Sequence, residues 1–214
     1  MTRPPPAVRH ATTEDLDALG AVLGAAFDDD PVLNWLVRQD DRRSEAIAAL
    51  FREVTRHAYI EAGETYLLED CSGAAVWRPP GVEEPEAPGL EAEWPDIVGE
   101  RGLDHLRATG PVMDRHHPTA PHFYLFAIGV DPEAQRGGRG SALIRHVLDR
   151  CDREAIPSYL ENTKERNLPF YEAHGFRTLA TESLPDGGPP MWFMWRDPEP
   201  LHGVAAERTR TGVR

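Results

Sequence analysis

Residues 135–141 read Gln-Arg-Gly-Gly-Arg-Gly-Ser, between an apolar run at 123–130 and a stretch where Leu143, Val147, Cys151 and Ala155 recur every four residues. An apolar strand feeding a glycine-rich turn that opens an amphipathic helix is a layout for binding anions. The first turn of a helix leaves up to four backbone N–H groups without intrahelical acceptors, and the helix dipole adds partial positive charge there. Gly137, Gly138 and Gly140 let the backbone approach a pyrophosphate closely and take positive φ where the turn requires it. The same glycines also suit a turn that only joins a strand to a helix. Two nucleotide motifs fail here. The P-loop needs Gly-Lys-Ser/Thr, and the turn has no Lys. The dinucleotide fingerprint needs a small third residue where Leu143 stands, and it opens its domain, whereas this turn follows about 130 residues.

The elements that must position this turn are legible from periodicity. A short strand near 7–11 precedes a helix over about 13–27, with Thr12 and Asp15 as a capping box and Leu16, Leu19, Val22, Leu23, Ala26 and Phe27 at helical spacing. Asp28, Asp29, Asp30 and Pro31 break it, and a short helix with Trp35 and Leu36 follows. A further helix is predicted over 41–62, ended by Gly63, then a hairpin of strands 65–69 and 74–78. Residues 79–96 are rich in proline and acid and read as an exposed loop, with helical patches at 96–107 and 109–116. The run at 123–130 is a central strand buried on both faces. After the helix ending near 155 come a strand at 158–161, a short helix at 168–174 stopped by Gly175, and strands at 176–180 and 191–195.

The chain has 214 residues, 40% of them hydrophobic and 28% charged, which suits one globular domain. A single domain over 1–196 and a flexible tail over 197–214 are expected. Two cysteines are too few for a disulfide scaffold, which favours a reducing, cytoplasmic setting. The longest apolar run falls well short of the ~20 residues of a membrane helix, and the first ten residues lack the apolar core of a signal peptide. A formal charge of −13 repels a phosphate backbone, so no nucleic-acid partner is expected. An acidic surface keeps a protein soluble and also tilts it toward cationic substrates.

The turn fits Q/R-x-x-G-x-G/A through Gln135, Gly138 and Gly140, and residues 167–176 fit N-x-x-x-x-Y-x-x-x-G-F. On these two motifs the chain resembles the GNAT (GCN5-related) N-acetyltransferases. Its C-terminal half is most similar to puromycin N-acetyltransferase-like members, through residues 123–130, Tyr159-Leu160-Glu161 and Asn167-Leu168-Pro169-Phe170-Tyr171-Glu172. The N-terminal half, which builds the acceptor pocket in the family, matches only in outline. One departure is Arg136, where the family commonly has Gly.

The resemblance implies an α/β GNAT acyl-CoA N-acyltransferase fold: a mixed, mostly antiparallel central sheet, splayed at the cofactor site and flanked by helices. It implies acetyl-CoA as co-substrate, no metal, and transfer to an amine. By the same resemblance Ile128, Gly129 and Val130 pair with the pantetheine arm. The backbone of Arg136, Gly137, Gly138, Arg139, Gly140 and Ser141 holds the pyrophosphate beside Gln135, and Asn167 adds a side-chain contact. Tyr171 is the expected proton donor to the thiolate, or else a packed aromatic. Glu161 is the expected base, or else a strand-end carboxylate in solvent or an ion pair. Asp30, Trp35 and Tyr59 are candidate acceptor contacts; the alternatives are helix capping for the Asp28, Asp29, Asp30 cluster and core packing for the aromatics. Arg136 and Arg139 either reach the phosphates or lie in solvent. His116 and His117 are read as surface residues, His122 and His174 as ordinary packing. The expected partner is a small-molecule amine; a protein or peptide amine, or a non-catalytic acyl-CoA-binding module, are the alternatives. No membrane partner is expected, and the chain acts as a monomer or homodimer.

Overall fold

A computed structural model describes residues 5–83 and 88–200. Residues 1–4, residues 84–87 of the acidic, proline-rich stretch and the tail from residue 201 lie outside the described residues. Seven strands form one sheet in the order β1-β2-β3-β4-β5-β7-β6: β1 Val8–His10, β2 Thr65–Leu68, β3 Gly73–Arg78, β4 Phe123–Val130, β5 Ser158–Asn162, β6 Arg177–Ser183 and β7 Pro190–Arg196. Every neighbouring pair is antiparallel except β4 and β5.

The helices are α1 Leu16–Ala26, α2 Pro31–Leu36, α3 Arg43–Val54, α4 Pro88–His116, α5 Arg139–Glu154 and α6 Leu168–Glu172. The period-2 alternation of β4 divides the core. Phe123 and Leu125 belong to one core cluster with Leu143, Ile144 and Val147 of α5, whereas Tyr124 belongs to the other, with Leu23 of α1, Ile47 of α3 and Val98 of α4. No described helix is long and apolar enough to cross a membrane.

Two expectations need correction. The loop read over 79–96 is already helical from Pro88, because Leu90, Ile97 and Val98 are buried and the first turn of a helix needs no N–H from its proline. The helix is interrupted at Gly99, whose φ of 73° and ψ of 175° are non-helical. The helix expected over 41–62 is α-helical only to Val54 and continues through a π turn at Thr55–Tyr59 before Gly63, at φ 72°, ends it.

Gly129 sets the distance between α1 and β4. A Cβ there would lie 2.7 Å from the Ala26 Cβ and 2.9 Å from the Leu23 Cδ1-paired methyl, Cδ2. The missing side chain lets the end of α1 close against the strand. Gly129→Ala is therefore expected to destabilise the protein by about 1–3 kcal/mol through overpacking. Thermal unfolding checks this, and an unchanged midpoint would show that α1 can move away at no cost.

Candidate active site

The site begins where two strands part. β4 and β5 pair in parallel only at Phe123–Ser158, Tyr124–Tyr159 and Leu125–Leu160. Beyond that, β4 runs on to Val130 paired with β3 alone, and β5 runs to Asn162 paired with β7 alone. A bulge coincides with the parting: the β3 partner passes from Ala127 to Leu125, so Phe126 has none. A bulge bends its strand and adds twist, which steers β4 away from β5. The facing edges are left with backbone groups that no strand satisfies, the condition under which an extended ligand can add as a strand.

A cleft of about 770 Å³ occupies this opening. Ile128, Gly129 and Val130 form one wall, and Ala25 and Ala26 at the end of α1 another. Lys164, Arg166, Asn167 and the α6 residues Phe170 and Tyr171 close the far side. Gln135, Arg136, Gly138, Arg139, Gly140 and Ser141 line the end where α5 begins.

The turn is held by its own polar groups. Asp131 accepts a hydrogen bond from the Glu133 N–H at 2.8 Å, and the Gln135 side chain donates to the Val130 carbonyl at 3.2 Å. Gly138 at φ 77° starts α5, so the next N–H groups point along the helix axis without intrahelical acceptors. A Cβ on Gly140 would only touch the Phe170 ring at 3.5 Å, so packing alone does not demand glycine there.

Two expectations for the turn change. Gly137 is not part of the cleft wall; its Cβ position is filled by Arg139 Nη1 at 2.8 Å. The Arg139 guanidinium turns back to Ser72 Oγ at 3.0 Å, the Ala134 carbonyl at 3.3 Å and Asp70 at 3.5 Å, and so braces the turn against the β2–β3 connection. Only its backbone N–H remains for an anion.

Arg136 sits at φ 69°, a left-handed conformation that costs an L-residue about 1–2 kcal/mol. Glycine would remove that cost and return about 0.5–1 kcal/mol of it as chain entropy. Arg136→Gly is thus expected to raise the unfolding midpoint by about 1–3 °C. A lower midpoint would mean that the guanidinium contributes more than the strain costs.

The three aspartates after α1 are each committed to a partner. Asp28 pairs with Arg43 at 2.6 Å, and Asp29 pairs with Lys164 at 2.6 Å and with Arg166. The hydrogen bond from Lys164 holds the Asp29 carboxyl below its usual range. For Asp30 the alternative reading, a helix cap, holds in place of the acceptor contact: its Oδ1 accepts from the N–H groups of Val32 at 2.9 Å and Leu33 at 3.1 Å, and Thr163 donates to Oδ2. Asp30 is buried, and burial raises its pKa.

Trp35 is likewise corrected. Its ring stacks on His105 of α4 at 3.9 Å and its carbonyl bonds His105 Nδ1 at 2.8 Å, so it joins α2 to α4 away from the cleft. Tyr59 is buried against the bulge, stacked on Phe126 at 4.7 Å. It stands behind the splay, on the face of α1 to α4, and is not part of the cleft wall.

Tyr171 is 8% exposed, packs against Phe170 and Phe176, and faces the cleft. Burial, with the charge of Asp30, pushes its phenol pKa upward. Asn167 precedes α6 and faces the cleft as well.

Glu161 extends from β5 just beyond the last residue paired with β4, outside the cleft wall, with its side chain 5% exposed, its Oε1 buried without a close hydrogen-bond partner, and the phenols of Tyr124 and Tyr159 beside it. Burial and the charge of Glu161 together raise the phenols of Tyr124 and Tyr159. His117 Nδ1 is 3.7 Å from Glu161 Oε1 while the side chain stays 30% exposed, so the residue read as surface also reaches the buried carboxylate. His116 is engaged too, with Nε2 2.6 Å from Glu182 and its ring stacked on Phe193 at 4.1 Å.

Sequence reasoning missed His117, Phe126, Lys164 and Arg166. Only Arg166, a cation one residue before Asn167, left a local signal; the others are brought to the site by strand register and by the course of α4.

Residues 79–176 match the family described as the acetyltransferase (GNAT) family. An uncharacterized N-acetyltransferase of Schizosaccharomyces pombe is 26% identical over 182 residues, spanning 79% of this chain and 74% of that protein. Among solved structures, one from Corynebacterium glutamicum, described as histone acetyltransferase HPA2 and related acetyltransferase, superposes with a TM-score of 0.70 at 29% identity and covers 91% of this chain and 97% of that one. A Drosophila melanogaster polyamine N-acetyltransferase that forms N-acetylagmatine shares the fold, with a TM-score of 0.61 at 16% identity over 89% of this chain and 98% of that one.

Proposed function

We propose that this chain, whose residues 79–176 match the GNAT family, transfers the acetyl group of acetyl-CoA to the primary amine of a small molecule. The observation that carries this reading is the enclosure of Glu161: a carboxylate with one unpartnered oxygen, buried among Tyr124, Tyr159 and His117 at the point where the strands part. A carboxylate set among phenols and an imidazole suits a single ammonium group.

The cleft supports the coenzyme assignment on three grounds. Its β4 edge is unpaired, its far end is a glycine-rich helix start, and its volume of about 770 Å³ lies in the range of small-molecule sites. In this reading the N–H groups from Arg136 to Ser141 hold the pyrophosphate, Ile128, Gly129 and Val130 pair with the pantetheine arm, and Asn167 fixes its course. Acetyl-CoA supplies an acyl group already activated as a thioester. The protein aligns the amine with it. Glu161 takes the ammonium proton so that the nitrogen carries a free lone pair, and Tyr171 hydrogen-bonds the departing sulfur and protonates it. Lys164 and Arg166, tied to Asp29, keep the β5 side of the cleft in place.

An aminonucleoside of the puromycin kind is the first acceptor to test, given the resemblance over residues 159–161 and 167–172. Free cysteines at 71 and 151 support a reducing, cytoplasmic setting. We assign residues 1–196 to one domain. Thiol release from acetyl-CoA with a panel of amines, including puromycin, polyamines and a lysine peptide, tests the proposal. Turnover with the small amines is expected. Turnover with the peptide alone would replace it by a protein acetyltransferase, and coenzyme binding without transfer by an acyl-CoA-binding module.

A further inference from the structure

We infer that His117 is the exit for the proton that the reaction releases, taking it from Glu161 and passing it to solvent. The inference rests on the reading of Glu161 as the base. An ammonium and a thioester give an amide and a thiol: the N–C bond forms, the C–S bond breaks, and its electron pair stays on sulfur. The nitrogen sheds two protons on the way. One ends on sulfur, and the other is left over and must leave the site at every turnover.

Glu161 alone cannot release it. Its side chain is 5% exposed and its Oε1 lies out of reach of solvent. His117 is 30% exposed, so its ring touches that oxygen's surroundings at Nδ1, 3.7 Å away, and bulk water as well. This distance is longer than a hydrogen bond by about 0.7 Å, a gap that a small rotation of the imidazole closes.

The position is built. The His117 N–H donates to the Met113 carbonyl at 2.9 Å and prolongs the end of α4. The ring is met edge-on by Tyr124 and Tyr159, at centroid distances of 5.2 and 5.0 Å, with His122 at 5.0 Å. Neither neighbouring histidine can serve instead. His116 is bound to Glu182, and His122 is buried with Nδ1 tied to the Ala120 carbonyl at 2.7 Å.

His117 acts through Glu161, so its test must separate relay from support. With the amine that gives turnover, His117→Ala and His117→Gln are expected to lower kcat at least about tenfold, leave the KM for acetyl-CoA within about twofold, and recover most of the loss when imidazole is added. An unchanged kcat overturns the inference. So does a loss that imidazole does not restore in a protein with the wild-type unfolding midpoint.

A second measurement needs no turnover. The His117 ring is titrated by NMR in the wild type and in Glu161→Gln, with Tyr159 on β5, Tyr124 on β4, His122 before it and Arg78 on β3 as the other charged or titratable groups around it. The two titration curves are expected to differ, since an opposite charge at this distance favours the protonated ring. Equal titration in both proteins overturns the relay. Absence of turnover with every amine instead defeats the functional reading and leaves this coupling open to measurement.

Discussion

Replacing Tyr171 by Phe is expected to lower kcat by about 100-fold, the lower range for a positioned proton donor, while the dissociation constant for acetyl-CoA changes by less than about twofold. The substitution removes one oxygen and keeps the ring between Phe170 and Phe176. Among the described residues the Tyr171 hydroxyl makes no hydrogen bond, so nothing in the protein loses a partner. Burial and Asp30 hold the phenol protonated across the working pH range, which makes it a donor and not a base. A phenol of raised pKa is a weak acid, and a thiol ionises near ~8.5. Its service in the transition state is therefore a hydrogen bond to the charge building on sulfur, ahead of the proton transfer that completes the thiol. That contribution exists only in the transition state and so appears in kcat. Steady-state kinetics with calorimetry of acetyl-CoA binding decide the matter. An unchanged kcat removes Tyr171 from the chemistry and leaves it as packing.

The legible part of the site is the part written in consecutive residues. The apolar run of β4, the turn at 135–141 and the start of α5 follow one another in the chain, and local physics shapes each of them. Asp28, Asp29 and Asp30 show the opposite. Helix capping is legible for the cluster, but three identical side chains in a row do not say that it is the third that caps α2, that the first pairs with Arg43, or that the second pairs with Lys164 and Arg166. Lys164 and Arg166 arrive from the far side of the sheet through the register of β5, which no local pattern encodes. The bulge at Phe126 is equally silent, since a continuous apolar run looks the same whether or not one residue loses its partner. His117 follows a helix end and precedes a proline, a context that reads as surface. Its approach to Glu161 depends on α4 crossing the face of the sheet that carries Tyr124 and Tyr159. Trp35 is legible as an aromatic for a pocket wall or for the core, but its partner His105 lies in a helix that begins inside the segment read as a loop.

Glu161→Gln is expected to give the larger loss, about 100- to 1,000-fold in kcat/KM near pH 7, because it removes the proton acceptor while keeping the shape. The pH dependence carries the diagnosis. A primary ammonium ionises near ~10.4, so at pH 7 only about one molecule in 2,500 is the free amine. That fraction rises tenfold for each pH unit. An enzyme without its base depends on the amine arriving deprotonated, so the variant's rate is expected to climb with unit slope toward the amine pKa and the deficit against the wild type to narrow. Parallel profiles for the two proteins would show that Glu161 binds the ammonium without taking its proton. Stability should move the other way. The wild type holds a carboxylate oxygen buried and unpartnered, and a neutral amide of the same shape relieves about 1 kcal/mol of that desolvation cost. A variant that unfolds at a higher temperature and turns over far more slowly is what a group kept for chemistry at the expense of the fold produces. A slower variant that is also less stable would mark Glu161 as a structural residue of the sheet.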